Sequence, residues 1–241
     1  MSNKSLTVML LYPKEMNIYG DYGNFLALKR RAKLRGFDIK EVFHEPGKRF
    51  DKNVDIILGG GGQDSGQNQI VDDLIKIGPK LKELTASNTP MLVICGLYQL
   101  FGHYFLTQSG ERLTGIGIFN SHTEAGSERL IGNIVEESDE FGLLIGYENH
   151  SGLTFLGDGQ SALARVKKGN GNNGRDGVEG ARTNNVFGSY LHGPILPKNP
   201  RLTDELIRLA AIKKYGEFTL YGKIDDSITK KARQIAQRRP R

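Results

Sequence analysis

Cys95 is the only cysteine among the 241 residues, and it stands where a chain can present a nucleophile. It follows the apolar run 91–94, which has the length of a strand, and helical spacing begins at Gly96. A turn at this point holds a side chain out of the sheet, and the start of a helix stabilises a thiolate through its dipole and free amides. The alternative is a structural thiol, because free cysteine is among the most buried residue types. Position alone leaves both interpretations open.

His192 is the histidine best placed to act as a base for Cys95. It ends the apolar run 186–191 and precedes a Gly-Pro turn that would hold it at the sheet edge. If this strand and the strand before Cys95 are parallel neighbours, their carboxyl ends meet and the imidazole reaches the sulfur. His150 also follows a strand and competes for this role. His103 lies two turns down the predicted helix that follows Cys95, too far away to reach the thiol, and His44 and His122 sit in polar stretches with no strand end to aim them.

Four consecutive glycines, residues 59–62, follow the predicted strand 55–58. They lack the G-x-G-x-x-G spacing of a dinucleotide site and the Lys-Ser or Lys-Thr of a phosphate loop, so nucleotide binding is poorly supported. A glycine turn at a sheet edge permits exposed backbone amides close to a reacting carbonyl. The same turn is also consistent with a flexible connector between a strand and a helix.

The elements around these residues alternate between strand and helix over the first 110 residues. This alternation predicts an α/β fold with a parallel sheet covered on both faces. From Arg129 onward, short strands separated by turn residues predict an antiparallel extension, all within one domain spanning residues 1–241. The predicted strands are 6–11, 38–42, 55–58, 91–94, 130–135, 143–147, 153–156, 162–167 and 186–191, and the predicted helices are 24–35, 70–84, 96–105 and 200–215.

Two segments have distinctive compositions. Residues 169–180 contain five glycines and three asparagines, which predicts a mobile surface loop or hairpin tip. The basic tail, residues 228–241, has six basic residues and no acid. The whole chain has 33 Lys and Arg against 27 Asp and Glu, so the remainder is neutral and no nucleic-acid surface is expected. The tail is either a fraying helix end or a docking arm for an acidic partner or nucleic acid.

Composition excludes several classes of protein. Hydrophobic residues make up 38% and charged residues 25%, which provides enough apolar material for a core. One cysteine excludes an intrachain disulfide and a four-cysteine zinc site. No run approaches the roughly 18 apolar residues of a membrane span, and the amino terminus lacks the apolar run of a signal peptide. We therefore expect a soluble, cytoplasmic protein.

The residues around Cys95 resemble a known motif. Residues 94–99, I-C-G-L-Y-Q, are similar to the C-G-G-Y-Q nucleophile elbow of class I glutamine amidotransferases of the cobyric acid synthase type. Three further runs resemble one branch of that family, the glutaminase subunits of lipid II isoglutaminyl synthases: Y-G-D-Y-G-N at 19–24, Y-E-N-H at 147–150 and Y-L-H-G-P-I-L-P-K-N at 190–199. The resemblance spans nearly the whole chain. It implies a three-layer, flavodoxin-like fold with a mostly parallel central sheet and an antiparallel extension.

The resemblance implies a role for each matching position. Cys95 would attack the side-chain carboxamide of L-glutamine, forming a glutamyl thioester and releasing ammonia, with His192 as the base and acid. The backbone amides of Gly61 and Gly96 would hold the oxyanion. Two positions are implied for substrate binding: Arg129, which would grip the α-carboxylate of glutamine, and Gln99, inside the elbow motif.

Two departures from the family pattern concern the site. Leu97 stands where the family has a second glycine that lets helix and strand pack closely, so Leu97 must find room. Pro194 stands where the broader class has the glutamate that orients the histidine. Three solutions are open: Glu148 or another carboxylate takes that place, the site works as a Cys–His dyad, or a partner supplies the third group. If a partner supplies this group, the isolated chain should have weak activity.

Ammonia made by this chain needs an acceptor, and the sequence shows no ATP site. The resemblance implies an ATP-dependent, Mur-ligase-like partner that amidates the D-glutamate of the lipid II stem peptide to D-isoglutamine, near the inner face of the membrane. No cofactor is expected in this chain, whereas ATP and Mg²⁺ are expected on the partner. Two alternatives remain: an amidotransferase subunit of another pathway, such as cobyrinic acid amidation, and a non-catalytic scaffold with an inert Cys95.

Overall fold

The computed structural model describes residues 4–218 and 224–240. Its first sheet has six strands and is mostly parallel. In spatial order the strands are β2 (Phe37–His44), β1 (Lys4–Leu11), β3 (Ile56–Gly59), β4 (Met91–Ile94), β12 (Val186–Ser189) and β11 (Ala181–Thr183). The first five run parallel, and β11 pairs antiparallel with β12 at the edge. The predicted α/β alternation is therefore confirmed. Since β4 and β12 are parallel neighbours, the arrangement required for the Cys95–His192 pair is present.

Helices follow most strands of this sheet, and its central strands are buried over their whole length. The helices are α1 (Tyr22–Leu34), α2 (Asp64–Ala86), α3 (Gly96–Phe101), α4 (Ile195–Lys198), α5 (Pro200–Tyr215) and α6 (Ser227–Arg238). α5 has its predicted bounds. α2 begins earlier than the predicted residue 70, because its polar first turns carry no apolar period. α3 ends earlier than the predicted residue 105, because Gly102 is extended and leads into a strand.

A second sheet contains the antiparallel part of the fold. Its strands are β5 (Tyr104–Leu106), β6 (Arg112–Thr114), β7 (Ser121–Ser138), β8 (Gly142–Leu156), β9 (Ala164–Lys168) and β10 (Val178–Glu179). The order is β10-β9-β7-β5-β6, with β8 paired to β7, and β5 is parallel to β7. The predicted strands 143–147 and 153–156 are parts of the single strand β8. Sequence reasoning divided them because the buried positions between them carry the polar residues Glu148 and His150.

The glycine- and asparagine-rich segment 169–180 connects β9 to β10, which pair antiparallel, so the predicted hairpin tip is present. Residues 174–177 are exposed, but part of the segment packs into the interior. Asn172 and Asn173 are buried. The Asn172 side chain accepts hydrogen bonds from the Tyr98 hydroxyl at 3.1 Å and the Gly180 N–H at 2.9 Å, and it donates to the Gly180 carbonyl at 3.0 Å. The asparagine side chains thus satisfy backbone groups of the turn in the interior, a role that composition does not reveal.

A buried pair of glutamates, Glu136 on β7 and Glu179 on β10, connects the second sheet to the segment that leads to His192. Glu179 accepts hydrogen bonds from the Tyr190 N–H at 2.6 Å and the Ser189 hydroxyl at 3.2 Å. Burial raises the pKa of Glu179 to about 7, although these hydrogen bonds lower it. Burial and the neighbouring Glu179 raise the pKa of Glu136 well above its usual range. The pair therefore retains a proton at neutral pH.

The basic tail forms α6, which contacts the body of the protein. Arg233 donates hydrogen bonds to the Lys198 carbonyl and to the Asn199 side-chain oxygen, the latter at 2.7 Å. These contacts distinguish the helix from a fraying, solvated end; Arg241 lies outside the described residues. Across the described ranges, no helix is both long enough and apolar enough to span a membrane.

Glu136→Gln should raise the free energy of unfolding at about pH 8 by about 1–2 kcal/mol. Both carboxyls have folded pKa values above the ordinary 4.5, so the stability they contribute is greatest below that value and declines as the pH rises toward about 7. A glutamine side chain fills the same space without titrating, and its amide can donate to Glu179. Urea unfolding across this pH range measures the effect.

Glu137→Gln is the matched control, because Glu137 is a half-exposed neighbour on the same strand, paired with Lys167. It should leave the slope of stability against pH unchanged above about pH 5. The prediction is wrong if Glu136→Gln keeps the wild-type slope.

Candidate active site

Cys95 occupies a strained elbow between β4 and α3. Its backbone angles are φ 49° and ψ −107°, a conformation that residues other than glycine rarely adopt. The Cys95 N–H donates to the Ser189 carbonyl at 2.8 Å, which ties the elbow to the end of β12. The side chain is largely buried, with 7% of the residue exposed. The elbow predicted from the sequence is therefore present, and it is fixed by the neighbouring strand.

His192 meets Cys95 across the glycine turn. A methyl group built on Gly61 would lie 2.9 Å from His192 Cε1 and 3.0 Å from Cys95 Cβ, so both side chains border the same small space. The His192 backbone pairs with Tyr147 on β8, and its side chain is almost fully buried. The structure thus brings together the cysteine and the histidine that the sequence singled out.

The pKa of His192 is raised to about 10 by its surroundings. Burial by itself lowers the pKa, but the negative charges of Cys95 and Asp21 outweigh it. Their combined effect favours the imidazolium form of His192. The ring of Tyr19 contacts the imidazole edge-on, with centroids 4.9 Å apart.

The Leu97 side chain packs into the space that Gly59 leaves open. A side chain on Gly59 would collide with the end of Leu97, which is fully buried. The glycine expected after the nucleophile is thus replaced by a glycine on the facing strand, and the close approach of α3 to β3 is kept. This departure from the family pattern is compensated within the chain.

Asp21 is the carboxylate that the structure places against His192. Its Oδ1 lies 3.6 Å from His192 Nδ1, and its Oδ2 accepts the Gly61 N–H at 2.6 Å. Glu148, which sequence reasoning considered for this position, is also buried, but its carboxylate accepts hydrogen bonds from the backbone N–H groups of Asn170 and Gly171. The contact from Asp21 was not foreseen, although the residue belongs to the Y-G-D-Y-G-N run.

A cavity of about 400 Å³ opens beside the cysteine. Its lining includes Gly62, Cys95, Gln99, Arg129, Asn149 and His150. Arg129 is exposed at the rim and donates to Asn149 Oδ1 at 2.8 Å, which leaves its guanidinium at the cavity. Gln99 is buried, accepts from Gln67 Nε2 at 2.8 Å and donates to the Tyr190 hydroxyl at 3.1 Å. Gln67 carried no signal in the sequence, because an isolated glutamine on a polar helix face is common.

His150 lines the same cavity but differs from His192 in its protonation. Burial lowers the pKa of His150 to about 4, so this imidazole is neutral at physiological pH. Its Nδ1 lies 2.7 Å from the Gly152 carbonyl, and its ring stacks on Tyr190 with centroids 3.6 Å apart. The two candidate bases therefore differ in character: His192 faces the thiol and a carboxylate, and His150 packs against a tyrosine. Within the described ranges, no cluster of three or more His, Cys, Asp or Glu side chains is arranged to hold a metal ion.

A comparison of the sequence with family models shows which family the chain belongs to. Residues 7–200 match the CobB/CobQ-like glutamine amidotransferase domain, so the chain belongs to that family and is a glutamine amidotransferase. A chain in the structure of PurLQS from Thermotoga maritima aligns with a TM-score of 0.59 at 16% identity, over 85% of this chain and 97% of that one. A glutamine amidotransferase from the same organism aligns with a TM-score of 0.51 at 12% identity, over 96% and 93%. The expected class I glutamine amidotransferase fold is confirmed.

Three proteins are more similar to this chain in sequence than these two structures are. The chain is 42% identical over 211 residues to the lipid II isoglutaminyl synthase (glutamine-hydrolyzing) subunit GatD of Staphylococcus aureus strain N315, over 87% of this chain and 86% of that protein. It is 40% identical over 215 residues to the protein of the same name from Streptococcus pneumoniae strain ATCC BAA-255 / R6, over 88% and 83%. The cobyric acid synthase of Clostridium botulinum strain Alaska E43 is 27% identical over 212 residues, over 82% of this chain and 40% of that protein.

Gly61→Ala should lower the rates of Cys95 alkylation and of glutamate release by about a hundredfold, because the new methyl group displaces the thiol or the imidazole. Iodoacetamide labelling, followed by mass spectrometry, measures the first rate. Gly47→Ala is the control: a methyl group there meets no other atom, but φ is +76°, so it costs about 1 kcal/mol of stability. Equal alkylation rates in the two variants would contradict the prediction.

Proposed function

We propose that this chain hydrolyses L-glutamine to glutamate and ammonia through a thioester on Cys95, as the glutaminase subunit of a synthetase that amidates lipid II. The observation that carries the proposal is the meeting of the Cys95 and His192 side chains across Gly61 in a glutamine amidotransferase. A thiol beside an imidazole is the pair that nucleophilic attack on a carboxamide requires. The strained elbow and the neighbouring cavity support the same assignment.

In the first half-reaction, His192 takes the thiol proton and the thiolate attacks the carboxamide carbon of glutamine. The carbon–nitrogen bond then breaks, and the imidazolium returns the proton to the leaving nitrogen, giving ammonia and a glutamyl thioester. In the second half-reaction, neutral His192 removes a proton from water as the water adds to the thioester. The carbon–sulfur bond breaks, glutamate leaves, and the imidazolium returns its proton to the departing Cys95 thiolate, which restores the starting pair. When the nitrogen leaves, the sulfur is bonded to carbon and has lost its charge, so of Cys95 and Asp21 it is Asp21 that still favours the imidazolium.

For the oxyanion, we propose backbone N–H groups of Gly96 and of the glycine turn as donors. Gly96 is the first residue of α3, so its N–H has no acceptor within the helix. Gly62 lines the cavity beside Cys95, whereas the Gly61 N–H is bonded to Asp21. The Gly61 N–H can therefore donate to the oxyanion only after its hydrogen bond to the Asp21 carboxylate breaks.

Arg129 is proposed to bind the α-carboxylate of glutamine. Its guanidinium shares the cavity with the Cys95 thiol, and its planar fork suits a carboxylate better than an ammonium does. Gln99 is proposed to shape the floor of the cavity, where Gln67 and the Tyr190 hydroxyl hold its amide group.

The destination of the ammonia is inferred from the relatives. Two proteins that align over most of their length are named as subunits of a glutamine-hydrolysing lipid II isoglutaminyl synthase. We propose that this chain likewise supplies ammonia to a Mur-ligase-like partner, which uses ATP and Mg²⁺ to amidate the D-glutamate of the lipid II stem peptide. Cobyrinic acid amidation is less favoured, because the chain spans 40% or less of the cobyric acid synthases compared.

Cys95→Ala and His192→Ala should each lower glutamate release from glutamine by about a thousandfold or more, because each removes one member of the reacting pair. Release is measured for the chain alone and after addition of the Mur-ligase-like subunit. His103→Ala is the control for histidine loss, since His103 is exposed and contacts Asn120. Substantial release by Cys95→Ala would refute the thioester mechanism.

Glutamine carrying heavy nitrogen in its carboxamide tests the destination of the ammonia. With the partner, ATP and lipid II, the label should enter the stem peptide, and it should not do so with Cys95→Ala. Label that reaches free ammonia but never lipid II would exclude the lipid II assignment and keep the glutaminase activity. If no label is released and Cys95 resists iodoacetamide, the amidotransferase mechanism is wrong and an inert scaffold is favoured.

Arg129→Lys should raise the KM for glutamine about tenfold with little change in kcat, because it weakens a contact made equally in the ground and transition states. Steady-state glutamate release gives both constants. Arg112→Lys is the control, since Arg112 is exposed and lies over the Tyr104 ring. A fall in kcat alone would place Arg129 in a different role.

A further inference from the structure

The basic tail, residues 228–241, is a feature of the sequence to which the proposed function assigns no role. Four exposed side chains of its helix α6 form what we call the outer face: Ile228, Lys231, Ile235 and Arg238. We propose that the outer face binds the surface of an anionic lipid bilayer. The inference goes beyond the proposed function, and its test needs no enzymatic activity.

The direction of the outer face follows from the helical spacing and from the contacts on the opposite side of α6. Its four positions are three or four residues apart, so they lie on one side of the helix. Arg233 lies on the other side, where it donates to Asn199 Oδ1 at 2.7 Å and to the Leu143 carbonyl at 2.6 Å. None of the α6 residues is buried. The helix is thus attached to the protein by its inner side, and the outer face is open to an external surface.

The apolar part of the outer face is its two isoleucines. Ile228 is 82% exposed and Ile235 is 58% exposed, the highest values for large hydrophobic residues in the part of the chain that the structure describes. A single exposed aliphatic side chain is ordinary on a protein surface. These two stand about two turns apart on the same side of one helix, so they form a row. Moving this row out of water is favourable.

The charged part of the outer face is not neutralised by the protein. Lys231 and Arg238 form no ion pair within residues 4–218 and 224–240. α1 also contains basic residues and no acid, and its Arg31 binds Asp226, the residue before α6, at 2.8 Å. The two basic helices therefore meet at this ion pair, whereas the rest of the chain has more acidic than basic residues. This separation of charge attracts an anionic surface to the two helices.

The mixture of aliphatic and cationic side chains favours a lipid surface over a protein or a nucleic acid. The core of a protein–protein interface is depleted of charge, yet each isoleucine here has a lysine or an arginine on the same side of the helix. Single-stranded nucleic acid is bound by cations together with aromatic side chains, and α6 has no aromatic residue. At a bilayer, the cations contact phosphate headgroups and the isoleucines enter the boundary with the acyl chains. Under the proposed function, this contact holds the enzyme at the membrane of its lipid-linked acceptor.

The test is co-sedimentation of the full-length chain with vesicles made of equal parts of phosphatidylcholine and phosphatidylglycerol. We expect binding that weakens about tenfold or more when the salt is raised from about 0.05 M to about 0.5 M, and little binding to vesicles of phosphatidylcholine alone. Ile228→Ser together with Ile235→Ser should lower the affinity for the anionic vesicles about tenfold. Lys231→Glu together with Arg238→Glu should lower it about a hundredfold.

α2 supplies the matched controls, because Ile75 is 43% exposed and Lys76 and Lys82 are exposed on the same helix. Ile75→Ser, and Lys76→Glu together with Lys82→Glu, should leave vesicle binding unchanged. The outer-face variants replace exposed residues and keep Arg233, so they should fold, which far-ultraviolet circular dichroism checks. If an outer-face variant does not fold, the wild-type chain decides by its salt dependence and its preference for anionic over neutral vesicles.

Absence of binding to the anionic vesicles at low salt overturns the proposal, and so does equal binding to both kinds of vesicle. It is also overturned if the outer-face variants bind vesicles like the wild type but lose affinity for the Mur-ligase-like subunit or for DNA. Glutamate release tests the proposed function separately, and the outer-face variants should keep the wild-type rate in the absence of vesicles. A chain that binds anionic vesicles but releases no glutamate with its partner supports this inference and contradicts the proposed function.

Discussion

The parallel pairing of β4 with β12 is the interaction on which the site depends. Residue 95 and residue 192 are distant in sequence, and they meet because Ile94 and Ser189 are partners in neighbouring strands. The pairing continues past the strand ends, where the Cys95 N–H donates to the Ser189 carbonyl. The N–H of the next residue, Tyr190, donates to the Glu179 carboxylate at 2.6 Å. The second sheet thus contributes to the site by fixing the end of a strand in the first.

A second constraint is the absence of side chains at the glycine turn. Gly59 makes room for Leu97, Gly60 for the Met16 carbonyl and Asp21, and Gly61 for the Cys–His pair. Each glycine meets a different neighbour, so the run is required position by position for close packing. The segment is therefore not a flexible connector, because other atoms pack closely against each of its positions. Conformational freedom and close approach are separate reasons for glycine, and here the second applies.

The sequence predicts the parts of this structure that follow from local pattern. Apolar runs of strand length, the α5 helix and the two residues that follow neighbouring strands were all recognisable, because burial imposes period and position on them. Asp21 was not recognisable as a neighbour of His192, since their contact depends on how a turn after β1 packs on a turn after β12. The same holds for the buried asparagines of residues 169–180, whose polar composition suggested exposure. Tertiary hydrogen bonds of buried polar groups leave no periodic signal.

The position of the chain's only cysteine at the elbow has a chemical consequence. Because no second thiol exists in the chain, one equivalent of a thiol reagent counts one site, and total thiol content measures the intact fraction of a preparation. Oxidation has the same selectivity: a sulfenic acid on this sulfur finds no resolving cysteine in its own chain. Its recovery depends on a thiol from outside, small enough to enter the cavity. The redox state of the surrounding solution therefore sets how much of the protein retains its thiol.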